Sequence, residues 1–287
     1  MVEVLHDPAA FRDACDELRT RGARVGLVPT MGALHRGHLA LVDEAKARGA
    51  THVVVTIFVN PMQFDREDDL ASYPRDLRAD VASCQARGVS LIFAPDTAGM
   101  YPDGFETHVQ PGSLAEELEG AHRPGHFRGV TTIVAKLLIL AGPCVAVFGR
   151  KDYQQWRIIE RMSRDLGLPV EIVGHPIVRE PDGLALSSRN RLLSASDRTR
   201  ALAIARGLTA ASEAWDQGER SVTALSNLAR APIAEAFDRI DYVKLIDPDT
   251  LQPLEGDAER ALIVVAAHLG SVRLIDNLEL GRDPAPS

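Results

Sequence analysis

The sequence predicts an α/β protein, in which a parallel-sheet domain is followed by a smaller α+β domain. Strand-like and helix-like segments alternate up to about residue 176, and His52 to Phe58 is a continuous apolar and β-branched run typical of a strand buried on both faces. Beyond Pro176, two Ala/Leu-rich helical segments precede three strand segments. We therefore expect a Rossmann-like domain at residues 1–176 and a smaller α+β domain at residues 177–287.

The first domain is predicted from alternating periodicities, with caps and glycines at the helix ends. Its predicted helices are 7–22, 37–48, 74–87, 127–141 and 152–166, and its predicted strands are 23–28, 52–58, 89–93, 144–148 and 170–173. The region from Pro95 to Gly125 is rich in Pro, Gly and His, which predicts a long functional loop with a short helix near Leu114 to Glu119. Ligands of such parallel sheets bind at the carboxyl ends of the strands.

The second domain is predicted to contain two long helices and three strands. The helices are 194–215, which begins with a capping-box-like pair of Ser194 and Asp197, and 222–237, and the strands are 240–246, 262–269 and 272–275. The tail from Gly281 to Ser287 is expected to be frayed.

Composition excludes several classes of protein. The 287 residues carry a formal net charge of −8, which disfavours a general nucleic-acid surface. The three cysteines are far apart and form no Cys-x-x-Cys pair, which argues against a disulfide framework or a zinc site and fits a reducing compartment. No signal peptide or membrane-spanning apolar run is recognisable, so we expect a soluble, cytoplasmic protein without nucleic-acid or membrane partners.

Two histidines follow the first predicted strand of the alternating pattern. The sequence from Val28 to His38 runs through Gly32 and Gly37 into a predicted helix and includes His35 as well as His38. Backbone N–H groups and the positive end of a helix dipole would then lie beside two imidazoles, an arrangement that could hold a phosphate. The alternative is a turn that needs Gly and Pro for backbone reasons, with surface histidines nearby.

Polar residues also follow two other strands. Asn60 and Gln63 carry amides that could fix a small ligand, although Asn60-Pro61 is equally typical of a turn. After the strand at 144–148, Gly149 would allow close approach to a ligand and Lys151 could bind a phosphate. A surface position for Lys151, a helix cap at Asp152 and an exposed position for Gln155 are the alternatives.

A loop after the domain boundary, Ser187-Ser188-Arg189-Asn190-Arg191, offers two hydroxyls and two guanidiniums. Such a loop could close over a triphosphate, or it could be a solvated basic turn. The Gly-x-Gly-x-x-Gly, Walker and Gly-x-Ser-x-Gly motifs are absent, so phosphate chemistry would need another scheme.

His35-Arg-Gly-His38 resembles the His-x-Gly-His signature of a nucleotidyltransferase superfamily that includes the class I aminoacyl-tRNA synthetases. Together with Val-Pro-Thr-Met-Gly-Ala-Leu-His, Phe-Val-Asn-Pro-Met-Gln-Phe, Lys-Asp-Tyr-Gln-Gln and Leu-Ser-Ser-Arg-Asn in this order, the chain resembles the pantoate-β-alanine ligase family from about Val25 to Asn277. The resemblance implies an enzyme that adenylates pantoate with ATP and then transfers the pantoyl group to β-alanine, releasing pyrophosphate and AMP.

The resemblance also implies site residues. It makes His38 the proton donor with His35 beside it, and assigns Gln63 and Gln155 to pantoate binding. With the residue types discussed above, the candidate catalytic residues are His38, His35 and Lys151, and the candidate substrate-binding residues are Gln63, Gln155 and Asn60. The residues implied to contact ATP are Met31, Gly32, Ala33, Leu34, His35, Arg36, Gly37, His38, Gly149, Arg150, Lys151, Asp152, Val178, Leu186, Ser187, Ser188 and Arg189. Mg²⁺ would accompany ATP, with Asp80 as a candidate ligand. The first domain would bind nucleotide and pantoate, the second would act as a lid, and the protein would be a homodimer.

Three positions depart from the family pattern. Arg36 and Arg150 stand where Glu is common, and Leu186 stands where Met is frequent, so the charge around ATP could differ. Two alternatives remain open at this point: a nucleotidyltransferase acting on nucleotides or phosphopantetheine, and a catalytically silent nucleotide-binding protein.

Overall fold

The computed structural model describes residues 2–64, 70–71 and 73–286. The described residues form two compact units, one within Met1–Arg150 and Gln154–His175 and the other within Lys151–Tyr153 and Pro176–Ser287. The three residues Lys151–Tyr153 group with the C-terminal part of the chain although they precede the last strand of the first unit. Sequence periodicity could not reveal this, because it reports only local structure.

The first unit contains a six-stranded sheet in which every pairing is parallel. Its strands are β1 (Glu3–Leu5), β2 (Val25–Thr30), β3 (His52–Ile57), β4 (Leu91–Phe93), β5 (Cys144–Gly149) and β6 (Val170–His175), in the spatial order β1-β4-β3-β2-β5-β6. The predicted parallel α/β architecture is confirmed. Strand β1 was not predicted, because three residues are too short to show a periodic pattern.

Helices cover both faces of this sheet. They are α1 (Pro8–Thr20), α2 (Arg36–Ala47), α3 (Leu77–Ala86), α4 (His126–Ala141) and α5 (Tyr153–Asp165). Helices α1, α4 and α5 contribute to one apolar cluster, whereas α2 and α3 contribute to another. The adjacent residues Leu27 and Val28 of β2 are fully buried in opposite clusters, as expected for a strand covered on both sides.

The strand order reverses between β2 and β5, which lie side by side in the middle of the sheet. From β2 the chain proceeds outward through β3 and β4 on one side, and β5 and β6 lie on the other side. In open parallel sheets the crevice at such a reversal, outside the carboxyl ends of the strands, is where ligands bind. The residues that follow β2 and β5, Met31 and Arg150, therefore mark the expected location of a site in this unit.

The predicted loop from Pro95 to Gly125 contains short helical turns. They are Thr97–Met100, the 3₁₀ turn Ser113–Ala115 and Glu119–His122. The single short helix predicted near Leu114 to Glu119 is therefore replaced by two turns, with Leu118 between them at a positive φ of 54°.

The second unit has a three-stranded antiparallel sheet, β7 (Arg239–Ile246), β8 (Leu262–Leu269) and β9 (Val272–Glu279), in that order. Helices α6 (Ala195–Asp216) and α7 (Val222–Ala236) pack with it around one core, and Ser194 caps α6 as predicted. The expected fraying of the tail is wrong for Pro286, which is buried and accepts a hydrogen bond from Thr209 Oγ1 at 2.7 Å.

Within residues 2–64, 70–71 and 73–286, every helix is too short or too polar to cross a lipid bilayer.

Candidate functional site

The segment from Thr30 to His38, which we call the histidine loop, joins β2 to α2. It turns sharply because Gly32 and Ala33 have positive φ angles of 80° and 52°. Thr30 fixes the start of the turn, since its hydroxyl donates to Thr56 O at 2.7 Å and accepts from Gly32 N at 3.2 Å. The left-handed conformation of Ala33 costs about 1 kcal/mol or more, so neighbouring contacts must hold it.

Asp80 supplies those contacts from α3. Its Oδ2 accepts from Ala33 N at 3.0 Å and its Oδ1 accepts from Leu34 N at 2.8 Å, and the residue is only 4% exposed. A Cβ added at Gly32 would lie 2.8 Å from Asp80 Oδ2, so glycine is required there as well. The structure thus shows that Asp80 shapes the histidine loop, and its role as a metal ligand stays a prediction.

His35 and His38 form the end of the loop and the first turn of α2. Their rings are stacked with centroids 4.0 Å apart. His35 Nδ1 accepts from Gly37 N at 3.1 Å, and His38 Nδ1 accepts from His35 N at 3.3 Å. Because Nδ1 is an acceptor in both rings, the neutral imidazoles carry their protons on Nε2. Two N–H donors beside a helix N-terminus suit a phosphate.

Gln63 ends a 3₁₀ turn, Pro61–Gln63, that follows β3. Its Nε2 lies 3.1 Å from Met31 Sδ at the start of the histidine loop, and its Oε1 accepts from Asn60 Nδ2 at 3.1 Å. The structure thus brings Met31, Asn60 and Gln63 together, as expected from their positions at the carboxyl ends of neighbouring strands.

Asn60 is 1% exposed, and its amide is used within the protein. Besides Gln63, it donates to Gly129 O at 3.1 Å, and its Oδ1 accepts from Met62 N at 3.3 Å and from the Tyr101 hydroxyl at 2.7 Å. Burial raises the pKa of Tyr101 well above its usual value, so the hydroxyl remains a donor. Asn60 therefore helps to orient the Gln63 side chain, and a direct contact of Asn60 with substrate stays a prediction.

The backbone of Gln63 is bound by the first residue of α4 and by a residue just before this helix. Its carbonyl oxygen accepts from His126 Nδ1 at 2.8 Å and from Arg123 Nη2 at 3.1 Å. Helix α4 approaches the turn so closely that a Cβ at Gly129 would lie 2.2 Å from Met62 O. Glycine at position 129 is therefore what permits the turn to pack against the helix.

Beyond β5, Gly149 has open space around it, since a Cβ built there meets no atom within 4 Å. Arg150 is 8% exposed and packs on β6, where a Cβ at Gly174 would lie 2.9 Å from Arg150 Cγ. Of the two adjacent glutamines in α5, Gln155 is half-buried, whereas Gln154 is buried and binds the backbone of Leu114, Glu117 and Glu119.

In the second unit, the segment Lys151–Tyr153 is held by its backbone and by the Tyr153 side chain. Asn277 Nδ2 donates to Lys151 O at 2.9 Å, and the Tyr153 hydroxyl donates to Pro248 O at 3.3 Å. The Lys151 ammonium lies 3.8 Å from Asp152 Oδ2, and its side chain is 18% exposed. Asp152 lies directly before α5 and its side chain is half exposed, and the helix cap at this residue stays a prediction.

The predicted triphosphate loop follows a small hairpin in the same unit. Leu186 N donates to Val178 O at 2.9 Å, and the backbones of Arg179 and Ala185 form an antiparallel β-bridge. These pairings close the hairpin from residue 178 to residue 186. Ser187 then caps a 3₁₀ turn, Ser188–Leu192, by accepting from Arg189 N at 3.2 Å. Val178 and Leu186–Arg189, which are separated in the sequence, are thus neighbours in one substructure.

Several residues that shape the site were not predicted from the sequence. They are Tyr101, Arg123, His126, Gly129, Arg179, Asp276 and Asn277. Their partners lie far away in sequence, so no local pattern identifies them. Among the residues that the structure describes, no group of three His, Cys, Asp or Glu side chains could hold a metal ion.

Comparison of the sequence with known proteins identifies a family. The family described as pantoate-beta-alanine ligase matches residues 3–279. A pantothenate synthetase 1 of Bradyrhizobium diazoefficiens is 50% identical over 99% of this chain and 100% of its own, and a pantothenate synthetase of Geobacter sp. is 52% identical over 98% and 99%.

Solved structures agree with the sequence comparisons. The crystal structure of pantothenate synthetase from Thermus thermophilus has a TM-score of 0.91 at 47% identity and covers 97% of this chain and 99% of its own. A pantoate-beta-alanine ligase from Francisella tularensis, solved with beta-gamma ATP and beta-alanine, has a TM-score of 0.80 at 33% identity and covers 100% of both chains. The chain described here therefore belongs to the pantoate-beta-alanine ligase family.

Proposed function

We propose that this ligase condenses pantoate and β-alanine to pantothenate through a pantoyl adenylate, converting ATP to AMP and pyrophosphate. The observation that carries the proposal is the pair of stacked imidazoles at the N-terminus of α2, which follows the strand where the sheet order reverses. The membership of the chain in the ligase family fixes the class of reaction. The complex of the Francisella relative with beta-gamma ATP and beta-alanine supports ATP and β-alanine as ligands.

In the first step, a carboxylate oxygen of pantoate attacks the α-phosphorus of ATP, and the bond to the pyrophosphate oxygen breaks. Negative charge moves to the pyrophosphate, so hydrogen-bond donors lower the barrier most. The Nε2–H groups of His35 and His38 and the backbone of the histidine loop are proposed as those donors, with His38 as the proton donor. Little covalent help from the protein is needed.

Gln63 and Gln155 are proposed to bind pantoate, with Gln63 also close to β-alanine. The support for Gln63 is the number of contacts that fix it: one to each amide atom and two to its carbonyl oxygen. In the second step, the neutral amine of β-alanine attacks the carbonyl carbon of the adenylate. AMP leaves with the oxygen that bridged carbon and phosphorus, and the amine loses a proton.

The ATP contacts proposed for the second unit are Lys151, Asp152, Val178 and Leu186–Arg189. Lys151 would place a compact positive charge on a phosphate, and the hydroxyls and guanidinium of Ser187–Arg189 would bind the leaving pyrophosphate. The smaller unit is proposed to act as a lid that excludes water, because an adenylate is readily hydrolysed.

Magnesium is proposed to accompany ATP. Both oxygens of Asp80, the predicted ligand, already accept backbone N–H groups, so Asp80 would bind the ion only with its remaining lone pairs. Magnesium commonly keeps several waters and binds through substrate phosphates, which fits the lack of a cluster of metal-binding side chains among the described residues. A cytoplasmic location and a homodimer formed through the first unit complete the proposal.

The adenylate can be tested with pantoate labelled with ¹⁸O in both carboxylate oxygens. Each pantothenate formed should leave one labelled oxygen in AMP, and none in pyrophosphate, by mass spectrometry. In parallel, exchange of labelled pyrophosphate into ATP should require pantoate and not β-alanine. Label in inorganic phosphate, or AMP formed equally well without either acid, would contradict the proposed reaction.

A further inference from the structure

Strand β9 places two buried polar residues next to each other, Asp276 and Asn277, each 3% exposed. Successive side chains of a strand point to opposite faces. Asp276 shares its face with Leu274 and Leu278, which belong to the core with α6 and α7, and Asn277 points the other way. Each of the two side chains binds a different segment of the second unit.

Asp276 binds the hairpin that leads into the proposed triphosphate loop. Arg179 Nη1 donates to Asp276 Oδ2 at 2.7 Å and Nη2 donates to Oδ1 at 3.0 Å, a two-bond fork that fixes the guanidinium in one orientation. The same guanidinium donates to Gly183 O at 3.0 Å, at the turn of the hairpin. Asp276 therefore fixes the first strand of the hairpin and, through the Arg179 guanidinium, the turn of the hairpin that leads to Leu186.

Asn277 binds the other proposed ATP-contacting segment. Its Nδ2 donates to Lys151 O at 2.9 Å, across 126 positions of sequence. The backbone of Lys151 is thereby anchored, while the ammonium group extends from a fixed point. One strand thus sets the spacing between Lys151 and the residues from Leu186 onward.

A buried ion pair of this kind adds little to stability compared with well-packed apolar side chains of similar size. The neighbouring positions of the sheet, such as Val265 and Leu274, are apolar and buried, so apolar side chains would also fit the surroundings of this strand. Polar side chains at these two positions are explained if they orient the two segments that they contact, rather than stabilise the unit.

We propose that Asp276 and Asn277 are positioning residues for ATP, which hold the Leu186–Arg189 segment and Lys151 in a fixed relation. The inference rests on the proposed ATP contacts of those segments. Neither residue contacts the nucleotide itself in this scheme. Each acts through another group, Asp276 through Arg179 and Asn277 through the Lys151 carbonyl.

The test compares Asp276→Asn and Asn277→Asp with Glu279→Gln. Glu279 is a matched control, because it is a buried carboxylate of the same strand and pairs with two arginines, Arg260 and Arg282. Removing a charge-assisted bond, as in Asp276→Asn, or leaving a carbonyl without its donor, as in Asn277→Asp, commonly changes affinity about tenfold or more. We expect Asp276→Asn and Asn277→Asp to raise the KM for ATP about tenfold and to leave the KM for β-alanine unchanged.

Thermal unfolding of each variant separates positioning from simple loss of stability. Glu279→Gln should lower the melting temperature as much as the other two variants while keeping the wild-type KM for ATP. If Asp276→Asn or Asn277→Asp fails to fold, Arg179→Lys and Asn277→Ser replace them and are judged by the same KM values. The double variant Asp276→Asn with Arg179→Lys should have a KM for ATP no higher than that of the more impaired single variant, because both substitutions disrupt the same pair of hydrogen bonds.

Lys151→Ala distinguishes this inference from the proposed function. A loss of ATP affinity in Lys151→Ala, with wild-type values in folded Asp276→Asn and Asn277→Asp, would overturn the positioning role alone. A wild-type KM for ATP in Lys151→Ala would reject the ATP contact on which the inference depends, and with it both proposals for this segment. An equal rise in the KM for ATP in Glu279→Gln would also overturn the inference.

Discussion

The two imidazoles of the histidine loop differ from ordinary surface histidines in how their rings are fixed. In each ring Nδ1 accepts a backbone N–H, and the two rings stack. Ring rotation is therefore restricted, and the Nε2 protons point in set directions. Preorganised donors of this kind gain more from developing charge than mobile ones, because no reorganisation is needed at the transition state.

Replacing His38 tests this directly. We expect His38→Ala to lower the rate of pantoate-dependent pyrophosphate exchange by about 10²–10³-fold, the usual effect of removing one such donor, with the fold intact. His52→Ala is the control, since His52 begins β3 at the opposite, amino end of the strands. A normal exchange rate in His38→Ala, or a protein that no longer folds, would exclude the proposed role.

Asp80 invites a second test at the same scale. In Asp80→Asn only one side-chain oxygen remains as an acceptor, and the amide NH₂ would face one of the two backbone N–H groups. We therefore expect Asp80→Asn to lower the free energy of unfolding by about 1–3 kcal/mol. Activity should fall because the histidine loop loosens. A metal ligand would behave differently: its loss could be compensated by excess Mg²⁺. Recovery of the activity of Asp80→Asn at high Mg²⁺ would therefore support a role of Asp80 as a metal ligand.

What the sequence could predict at this scale depended on distance along the chain. His35 and His38 were recognisable because they are three positions apart at a strand-to-helix turn. The contacts of Asp80 with Ala33 and Leu34 could not be foreseen, since these partners lie more than 40 positions away. The same holds for Asn60, whose partners Tyr101 and Gly129 are too distant in sequence to be identified from a local pattern.

At the scale of elements, the close approach of α4 to the turn that carries Gln63 depends on Gly129. The added Cβ of Gly129→Ala would meet backbone, which cannot move aside as a flexible side chain does. We expect about 1–3 kcal/mol of destabilisation and a higher KM for pantoate. Gly112→Ala is the control, because a Cβ there meets no atom within 4 Å. Equal stability of the two variants would show that the turn can shift without cost.

The sheet of the second unit carries a polar group whose charge should matter in acid. Desolvation raises the pKa of Asp241 on β7, but hydrogen bonds from Arg273 on β9 and His268 on β8 outweigh it and lower the pKa to about 2. Because the folded-state pKa lies below the unfolded value of about 3.9, its stabilising effect is complete above that value. It is lost as the pH falls through about 2.

Denaturant unfolding of the wild type and of Asp241→Asn should show this window. The wild type should be more stable than the variant at neutral pH, and the difference should shrink between about pH 4 and pH 2. A difference that stays constant over that range would mean that the pKa of Asp241 is not lowered in the folded protein.

Most elements could be predicted because their patterns are strong and local. The buried run at His52 to Phe58 predicted β3, and Ser194 with Asp197 predicted the start of α6. Strand β9 was predicted to stop at Ile275, four residues early, because Asp276, Asn277 and Glu279 are polar. Their burial comes from tertiary partners, which hydrophobic periodicity does not detect.

At the scale of the whole molecule, all three cysteines lie in the first unit and are buried. Burial raises the pKa of Cys15, Cys84 and Cys144 to about 12. Since the thiolate is the reactive form, a thiol reagent at neutral pH should label the native enzyme very slowly and all three thiols after unfolding in guanidinium chloride. Rapid labelling of any thiol in the native enzyme would contradict this packing.

The hydrogen bond between Asn277 and Lys151 has a consequence for synthesis of the protein. The two residues are 126 positions apart, so at ordinary translation rates roughly 6–25 s pass between their addition to the chain. Once His175 has been added, early in that interval, all residues of the first unit have been made, whereas Lys151 still has no β9 to bind. A ribosome-bound chain that ends before β9 should therefore hold ATP poorly, and nucleotide binding would be among the last properties that the nascent enzyme acquires.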